Sequence, residues 1–417
     1  AVRPPWDGGW IWKKDKNGNP WMSVAVQGLG ASAWYPCKDY QGDEPDYGAS
    51  LTLIVPDSLV AIANGRLSKI NNISNNLLSY KWEVKNPINN YCIVPYIGKY
   101  VNFTDTLMGE KGKLDLSYWV LDYNLDKAKE QFKQVKPMLR AFEYWFGPYP
   151  FYEDSYKLID APHLGMEHQS AVAYGNHYMN GYLGNDLSGT DVGLLFDFII
   201  IHESGHEWFG NSITSKDVAD MWIHEGFTCY SESVYLECLY GYDKAQTYIN
   251  GLKRNVQNDK PIIGSYGVGN EGSSDMYYKG ALMLNTMRHI INDDAKWWAL
   301  ILKYSTTFRH QIIDTPTVIG FFNKETGLNL TAVFNQYLQH KELPILEVKL
   351  DSSKKIQLRW KTNEPHFQLP VEVTINGKTK RVLVGNDWLP TSVKTKGKLS
   401  ESNFNSQKFF YQLSILR

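Results

Sequence analysis

Cysteine is scarce in this chain. Four residues, Cys37, Cys92, Cys229 and Cys238, are spread over 417 positions, too few and too scattered for a disulfide framework. None has the C-x-x-C spacing, which argues against a cysteine metal site, and Cys229 and Cys238 are expected to pack as small apolar residues. An excess of either charge is missing too. The 43 Lys and Arg against 44 Asp and Glu leave a formal charge of -1 with no basic tract, so nothing favours nucleic acid or an anionic membrane as partner. Long apolar runs are absent. The longest, around Ile199, is interrupted by Asp197 and preceded by Gly193, well short of the roughly 20 residues that span a bilayer, so no integral membrane segment is expected. Internal repeats and low-complexity tracts are absent as well. Nothing at Ala1-Val2-Arg3-Pro4-Pro5 resembles a signal peptide, and the lack of an initiator methionine suggests a processed start; the chain reads as soluble, with its compartment open.

What is present is an ordinary globular composition, 43% hydrophobic and 21% charged, in a chain longer than one core normally organises. Two or three domains are expected. From Trp10 to about Trp119, short alternating runs rich in Val, Ile, Tyr and Trp are broken by Gly, Pro, Asn and Asp, and Leu51–Pro56 and Leu59–Gly65 read as strands closed by turns. Residues 1–122 are therefore expected to form an N-terminal β domain. Asp126–Phe146 carries helical spacing, with Pro137 as a break or kink, and helical texture continues to about Leu343 after a mixed stretch from Tyr156 to Tyr178. Residues 123–345 are taken as one mostly helical domain. After Pro344 alternation returns: Ile356–Trp360 and Val371–Ile375 read as strands and Asn376-Gly377 as a two-residue hairpin turn, giving a small C-terminal β module over 346–417. The fold class is multidomain α+β.

The strongest chemical signal is His202-Glu203-Ser204-Gly205-His206, followed after eighteen residues by Glu225. Two histidines four apart share a helical face, so both imidazoles can reach one cation, with the glutamate between them set beside it. Zn²⁺ suits such a set when catalytic, because it takes three protein ligands and keeps a fourth position open. Glu225 is the natural third ligand. The apolar run Leu194–Ile201 implies a buried metal helix that runs on toward Gly210-Asn211, where either residue could supply a left-handed stop. A second helix is expected from Asp217–Asp220 to Leu239, with Glu225 in its first half facing back toward the histidines. Glu232, seven residues further on, lies on the same helical face and could accept the second ring N–H of a zinc-bound histidine. His224 projects away and is expected to be a surface or packing residue rather than a ligand, and His163, His177, His289, His310, His340 and His366 are read the same way.

Set within H-E-S-G-H-E-W-F-G-N and D-M-W-I-H-E-G-F, this pattern resembles the gluzincin zinc aminopeptidases, the family of aminopeptidase N and the leukotriene hydrolase. The resemblance covers much of residues 27 to 285. It implies a β domain, then a thermolysin-like catalytic domain, then a variable C-terminal part. Leu164-Gly165-Met166-Glu167-His168 is similar to the family's Gly-x-Met-Glu-Asn signature, with Leu164 and His168 departing from it at the two ends. By that match Glu167 binds the substrate's free α-amino group, and the backbone of Gly165 and Met166 holds the peptide as an added strand. Gln27, nine residues before Pro36 of Pro36-Cys37-Lys38-Asp39, resembles the family's upstream glutamine and would contact the same amine. Met276-Tyr277-Tyr278-Lys279-Gly280 resembles a Tyr-x-Lys-Gly element, which assigns a catalytic phenol to Tyr277 rather than Tyr278. Glu203 is then the general base, and the matching glutamate of the family supports Glu232 behind a zinc-bound histidine.

The resemblance implies one Zn²⁺ per chain and hydrolysis of the first bond of peptides with a free amino terminus. Oligomeric state and side-chain preference stay open. A zinc endopeptidase on the same scaffold would share the ligands but lack the amine anchors; a catalytically inactive, peptide-binding or scaffolding homologue would lose part of the metal set or the tyrosine. Epoxide hydrolysis is remote, because nothing selects a lipid. The N-terminal β region is shorter than is usual in the family, so it is expected to be incomplete. The large helical C-terminal domain of many relatives is expected to be missing, so a carboxylate-binding arginine from there is not counted on.

Overall fold

Alternating side chains become a succession of strands between Gly9 and Leu121. The computed structural model describes residues 8–395 and 397–416. Gly9–Lys14, Pro20–Ala25, Tyr96–Gly98 and Val60–Ile62 form an antiparallel sheet in that order. Leu77–Val84 lies between Ala49–Pro56 and Arg66–Ser74 in a second antiparallel sheet. The strand expected over Leu59–Gly65 is only Val60–Ile62. Its ladder stops because Asn64 turns its side chain to Val94 N (3.0 Å) and Gln169 O (2.6 Å), and Gly65 takes a positive φ of 74°.

A five-stranded sheet follows, in the order Gly165–Met166, Val172–Tyr174, Tyr156–Asp160, Gly112–Leu121, Tyr100–Gly109. Its strands within the stretch read as mixed, Tyr156–Tyr178, are nearly all apolar and run parallel to one another or antiparallel at the rim. Gly165–Met166 pairs on one side only, with Val172–Tyr174, so it forms an edge of this sheet.

Helical spacing after Asn124 gives Leu125–Gln131, a 3₁₀ turn at Phe132–Gln134 and the helix Val135–Phe146. The break falls before Pro137, not at it. A proline in the first turn loses only an N–H that has no partner inside the helix, so Pro137 is accommodated there. Helix Phe198–Gly205 is shorter than its apolar run suggested, because Asp197 caps it by accepting from Ile199 N and Ile200 N. A cap of this kind stabilises by about 1 kcal/mol. The second long helix is Trp222–Tyr240, preceded by a 3₁₀ turn at Val218–Asp220. Cys229 on it is buried, as expected, but Cys238 is exposed, because it sits in the last turn, where the helix emerges from the core.

The chain divides into two compact units. The first comprises residues up to Asp217 with Ser231–Tyr248 and Ser305–Ile313, and the second comprises Val218–Tyr230, Ile249–Tyr304 and the residues from Asp314 onward. In the second, helices such as Tyr278–Ile291, Thr315–Thr326 and Thr331–Leu338 precede a four-stranded sheet in the order Leu389–Lys394, Lys355–Lys361, Ile345–Leu350, Gln412–Ile415. A hairpin pairs Leu369–Ile375 with Lys378–Val384 through Asn376 and Gly377, whose φ values of 49° and 73° match the twist of a two-residue turn. No helix among the described residues is long and apolar enough to cross a membrane.

Candidate active site

Helix Phe198–Gly205 is tied to the five-stranded sheet at both ends. Tyr174 OH donates to Asp197 Oδ2 at 2.7 Å, and Tyr156 OH lies 2.8 Å from Ser204 Oγ. Gln131 and Asn176 also donate to Asp197, which offsets part of a burial that pushes its carboxyl up to about 6. All eight residues of the helix are buried, so His202, Glu203 and His206 beside its end stand on a fixed base.

The two imidazoles meet. His202 Nδ1 donates to Glu232 Oε1 at 2.7 Å, and His206 Nδ1 to the Phe209 carbonyl at 2.9 Å. Tyr248 OH holds the other oxygen of Glu232 at 2.6 Å. With each Nδ1 against an acceptor, each Nε2 presents a lone pair, and the two Nε2 atoms face one another 3.3 Å apart. Two lone pairs converging on one point repel unless a cation or a proton lies between them. This donor set therefore fits a divalent ion, and nitrogen ligands oriented by outer partners suit Zn²⁺.

Glu203, 8% exposed, leans against the edge strand: a Cβ added to Gly165 would lie 2.6 Å from Glu203 Oε1 and 3.0 Å from Ile199. Glycine at 165 is what lets the carboxylate and the strand approach. One donor atom from each of Glu167, Glu203 and His206 lies within 4.8 Å of the others. Glu167, 3% exposed, accepts from Gln27 Nε2 at 2.5 Å and from Tyr91 OH at 2.9 Å, both on Oε1. Burial pushes the Tyr91 phenol well up, which keeps it a donor. Asn211 Nδ2 donates to the Glu167 carbonyl at 2.7 Å, and Glu207 accepts from Ser170 N at 2.8 Å, so the run after the metal helix grips the Glu167–Ser170 segment. Burial pushes the Glu207 carboxyl up to about 8.

Sequence reasoning missed Tyr91, Glu207 and Asn211. Tyr91 is one of 27 tyrosines and carries no local signal. The sequence offers either Gly210 or Asn211 as the left-handed stop of the metal helix. The helix ends at Gly205 instead, Gly210 takes φ 138° further on, and Asn211 spends its side chain on Glu167 and on the Cys92 thiol, 3.2 Å away. His168, where the family signature has Asn, is buried with Nδ1 2.6 Å from Tyr96 OH.

Glu225 lies in the first turn of Trp222–Tyr240, two turns before Glu232 on the same face, and is 2% exposed. Within the second unit the next residue, Gly226, meets Gly280: an added Cβ at 280 would lie 3.0 Å from Gly226 Cα. This glycine pair brings the helix of Glu225 against the start of Tyr278–Ile291. Tyr277 occupies the N-cap position of that helix and is half-buried, with its ring 6.4 Å from that of Tyr278. Lys279 is buried and donates to the His340 and Lys341 carbonyls at 3.0 and 2.9 Å, a structural tie. His224 is fully buried in packing.

A sheet edge beside a helix carrying two imidazoles and a carboxylate belongs to the metallopeptidase class of folds. The M1 zinc metallopeptidase from Deinococcus radiodurans superposes with a TM-score of 0.68 at 20% identity, over 82% of this chain and 73% of that one. The Peptidase family M1 domain matches residues 130–337. The chain is 24% identical to aminopeptidase B of Mus musculus over 322 residues, 73% of this chain and 46% of that protein. It is 25% identical to leukotriene A-4 hydrolase of Xenopus laevis over 264 residues, 61% of this chain and 40% of that protein. The chain belongs to peptidase family M1, the gluzincin aminopeptidases, whose cofactor is zinc. It spans about half the length of the curated relatives it matches.

Proposed function

We propose that this chain is a zinc-dependent aminopeptidase that hydrolyses the first peptide bond of peptides with a free amino terminus. The observation that carries this reading is the buried carboxylate of Glu167, held by Gln27 and Tyr91 and grouped with Glu203 and His206 within 4.8 Å. A buried acceptor that close to a base is a place for an ammonium group, and it makes the bond next to that ammonium the one that reaches the base.

In this reading His202, His206 and Glu225 hold one zinc ion per chain, and Glu232 orients His202. Supporting it are the facing Nε2 atoms and the helical face that Glu225 shares with Glu232. A bound zinc would supply a positive charge that polarises the scissile carbonyl and lowers the pKa of water to about 7. Glu203 takes the proton of the attacking water and passes it to the leaving amine. Tyr277 donates to the oxyanion as it forms, a contribution of about 2.7–4 kcal/mol for a well-placed donor. Glu167 and Gln27 anchor the amine, and the open side of Gly165–Met166 takes the peptide backbone as a further strand. The division into an N-terminal β domain (1–122), a thermolysin-like catalytic domain (123–345) and a C-terminal β module (346–417) is part of the same proposal.

The test compares an aminoacyl anilide with its N-acetyl form, with and without a chelator. The reading expects turnover of the free-amine substrate, little of the blocked one, and loss of both on chelation. Equal rates on the two substrates would point to an endopeptidase and sink the exopeptidase reading.

A further inference from the structure

One cleft lies wholly within the first unit and opens beside the amine anchor. Its volume of about 470 Å³ is in the range of small-ligand pockets. Gln27, Gly165 and Met166 line it, together with Pro162, His163 and Lys13. Gln27 is the residue whose amide holds Glu167, and Gly165 is the one Glu203 lies against, so the cleft begins where the reacting end of a peptide would sit. Among the described residues, Lys13 is the only charged side chain in its lining. Burial pushes the His163 imidazole down to about 4, and the nearby Lys13 acts in the same direction, so His163 is neutral at pH 7. The Lys13 ammonium donates to the Pro162 carbonyl at 2.6 Å, which seats it on the wall and leaves two N–H donors for another partner. Among the described residues no carboxylate pairs with it.

The wall also has a direction. A peptide that adds antiparallel along Gly165–Met166 with its amine at Glu167 runs toward Pro162, five residues back in the chain. Five extended residues span at most about 17 Å. A peptide of a few residues can thus carry its end to the lysine.

We infer that Lys13 binds a carboxylate of the substrate, downstream of the anchored amine, which makes short peptides with a free carboxyl terminus the substrate class of this site. The inference rests on the aminopeptidase reading. The same chemistry could come from an acidic side chain on the substrate, and the experiment separates the two sources. The zinc-loaded full chain is assayed as wild type, Lys13→Gln and Lys13→Arg. One arm compares tri- to pentapeptide free acids with their C-terminal amides, and the other compares peptide amides carrying Glu with those carrying Gln at the third position. In Lys13→Gln the acid-to-amide ratio of kcat/KM is expected to fall about ten-fold, through KM, as for loss of a charge-assisted hydrogen bond, and Lys13→Arg should restore it. A fall confined to the Glu-to-Gln ratio also supports a carboxylate at Lys13 and assigns it to a side chain. Both ratios staying within about two-fold of wild type would overturn the inference. A wild type that splits no anilide overturns the aminopeptidase reading instead, so the two failures are distinct.

Discussion

His202 and His206 meet because they are four residues apart on one helix, whereas Gln27 and Tyr91 reach Glu167 across 140 and 76 residues of chain. The first grouping is a property of helical pitch, and its orientation needs only Glu232 and one carbonyl behind it. The second exists only once an antiparallel sheet, the segment after Pro87 and an edge strand have packed together. The metal half should therefore survive damage to the β region in a way that the amine half cannot. Gly165 is where the two halves touch, because its missing side chain leaves room for Glu203.

The largest effect should come from the helix side. Glu203→Gln is expected to lower kcat by about 10²–10⁴-fold while elemental analysis still finds one zinc per chain. Near-native turnover would remove Glu203 from the chemistry. Gly165→Ala probes the seam: a methyl group 2.6 Å from Glu203 Oε1 must displace base or strand, and a shift of about 1 Å costs about 10²-fold in kcat. An unchanged kcat would mean the halves act independently. Glu232→Gln keeps the shape but weakens the acceptor behind His202, so zinc affinity measured by chelator competition should drop about 10–100-fold. Unaltered affinity would leave helical spacing as the whole of the metal half. The smallest effect belongs to Tyr91→Phe, which removes one of two donors to Glu167 Oε1. A rise of about ten-fold in KM for free-amine substrates is expected; a fall in kcat with KM constant would move Tyr91 out of amine binding.

Much of the fold could be read directly. The Asn376-Gly377 turn sits where two-residue hairpin chemistry puts it, and the second long helix begins within a few residues of its expected start. The misreadings share one cause. Asp197 looked like an interruption in an apolar run but caps the helix, Asn211 looked like a stop but binds Glu167, and Asn64 ends a strand by bonding to Val94 and Gln169. In each case a polar side chain serves a backbone group, and in two of the three that group lies far away in sequence. Local pattern does not encode such a partner. Pro137 shows a milder version, since its effect depends on which turn of the helix it occupies.

Residue order alone determined the ligand spacing of 202 and 206, the face shared by Glu225 and Glu232, and the succession of strand-rich, helix-rich and strand-rich stretches, because the periods of helix and strand are local properties of the backbone. Tertiary structure alone decided that Tyr91 and Asn211 support Glu167, that Gly165 makes room for Glu203, and that Lys13 stands in the cleft beside them. Those contacts join segments whose separation in sequence carries no information about their distance in space, and they form only when burial of the surrounding sheets offsets the entropy of bringing them together.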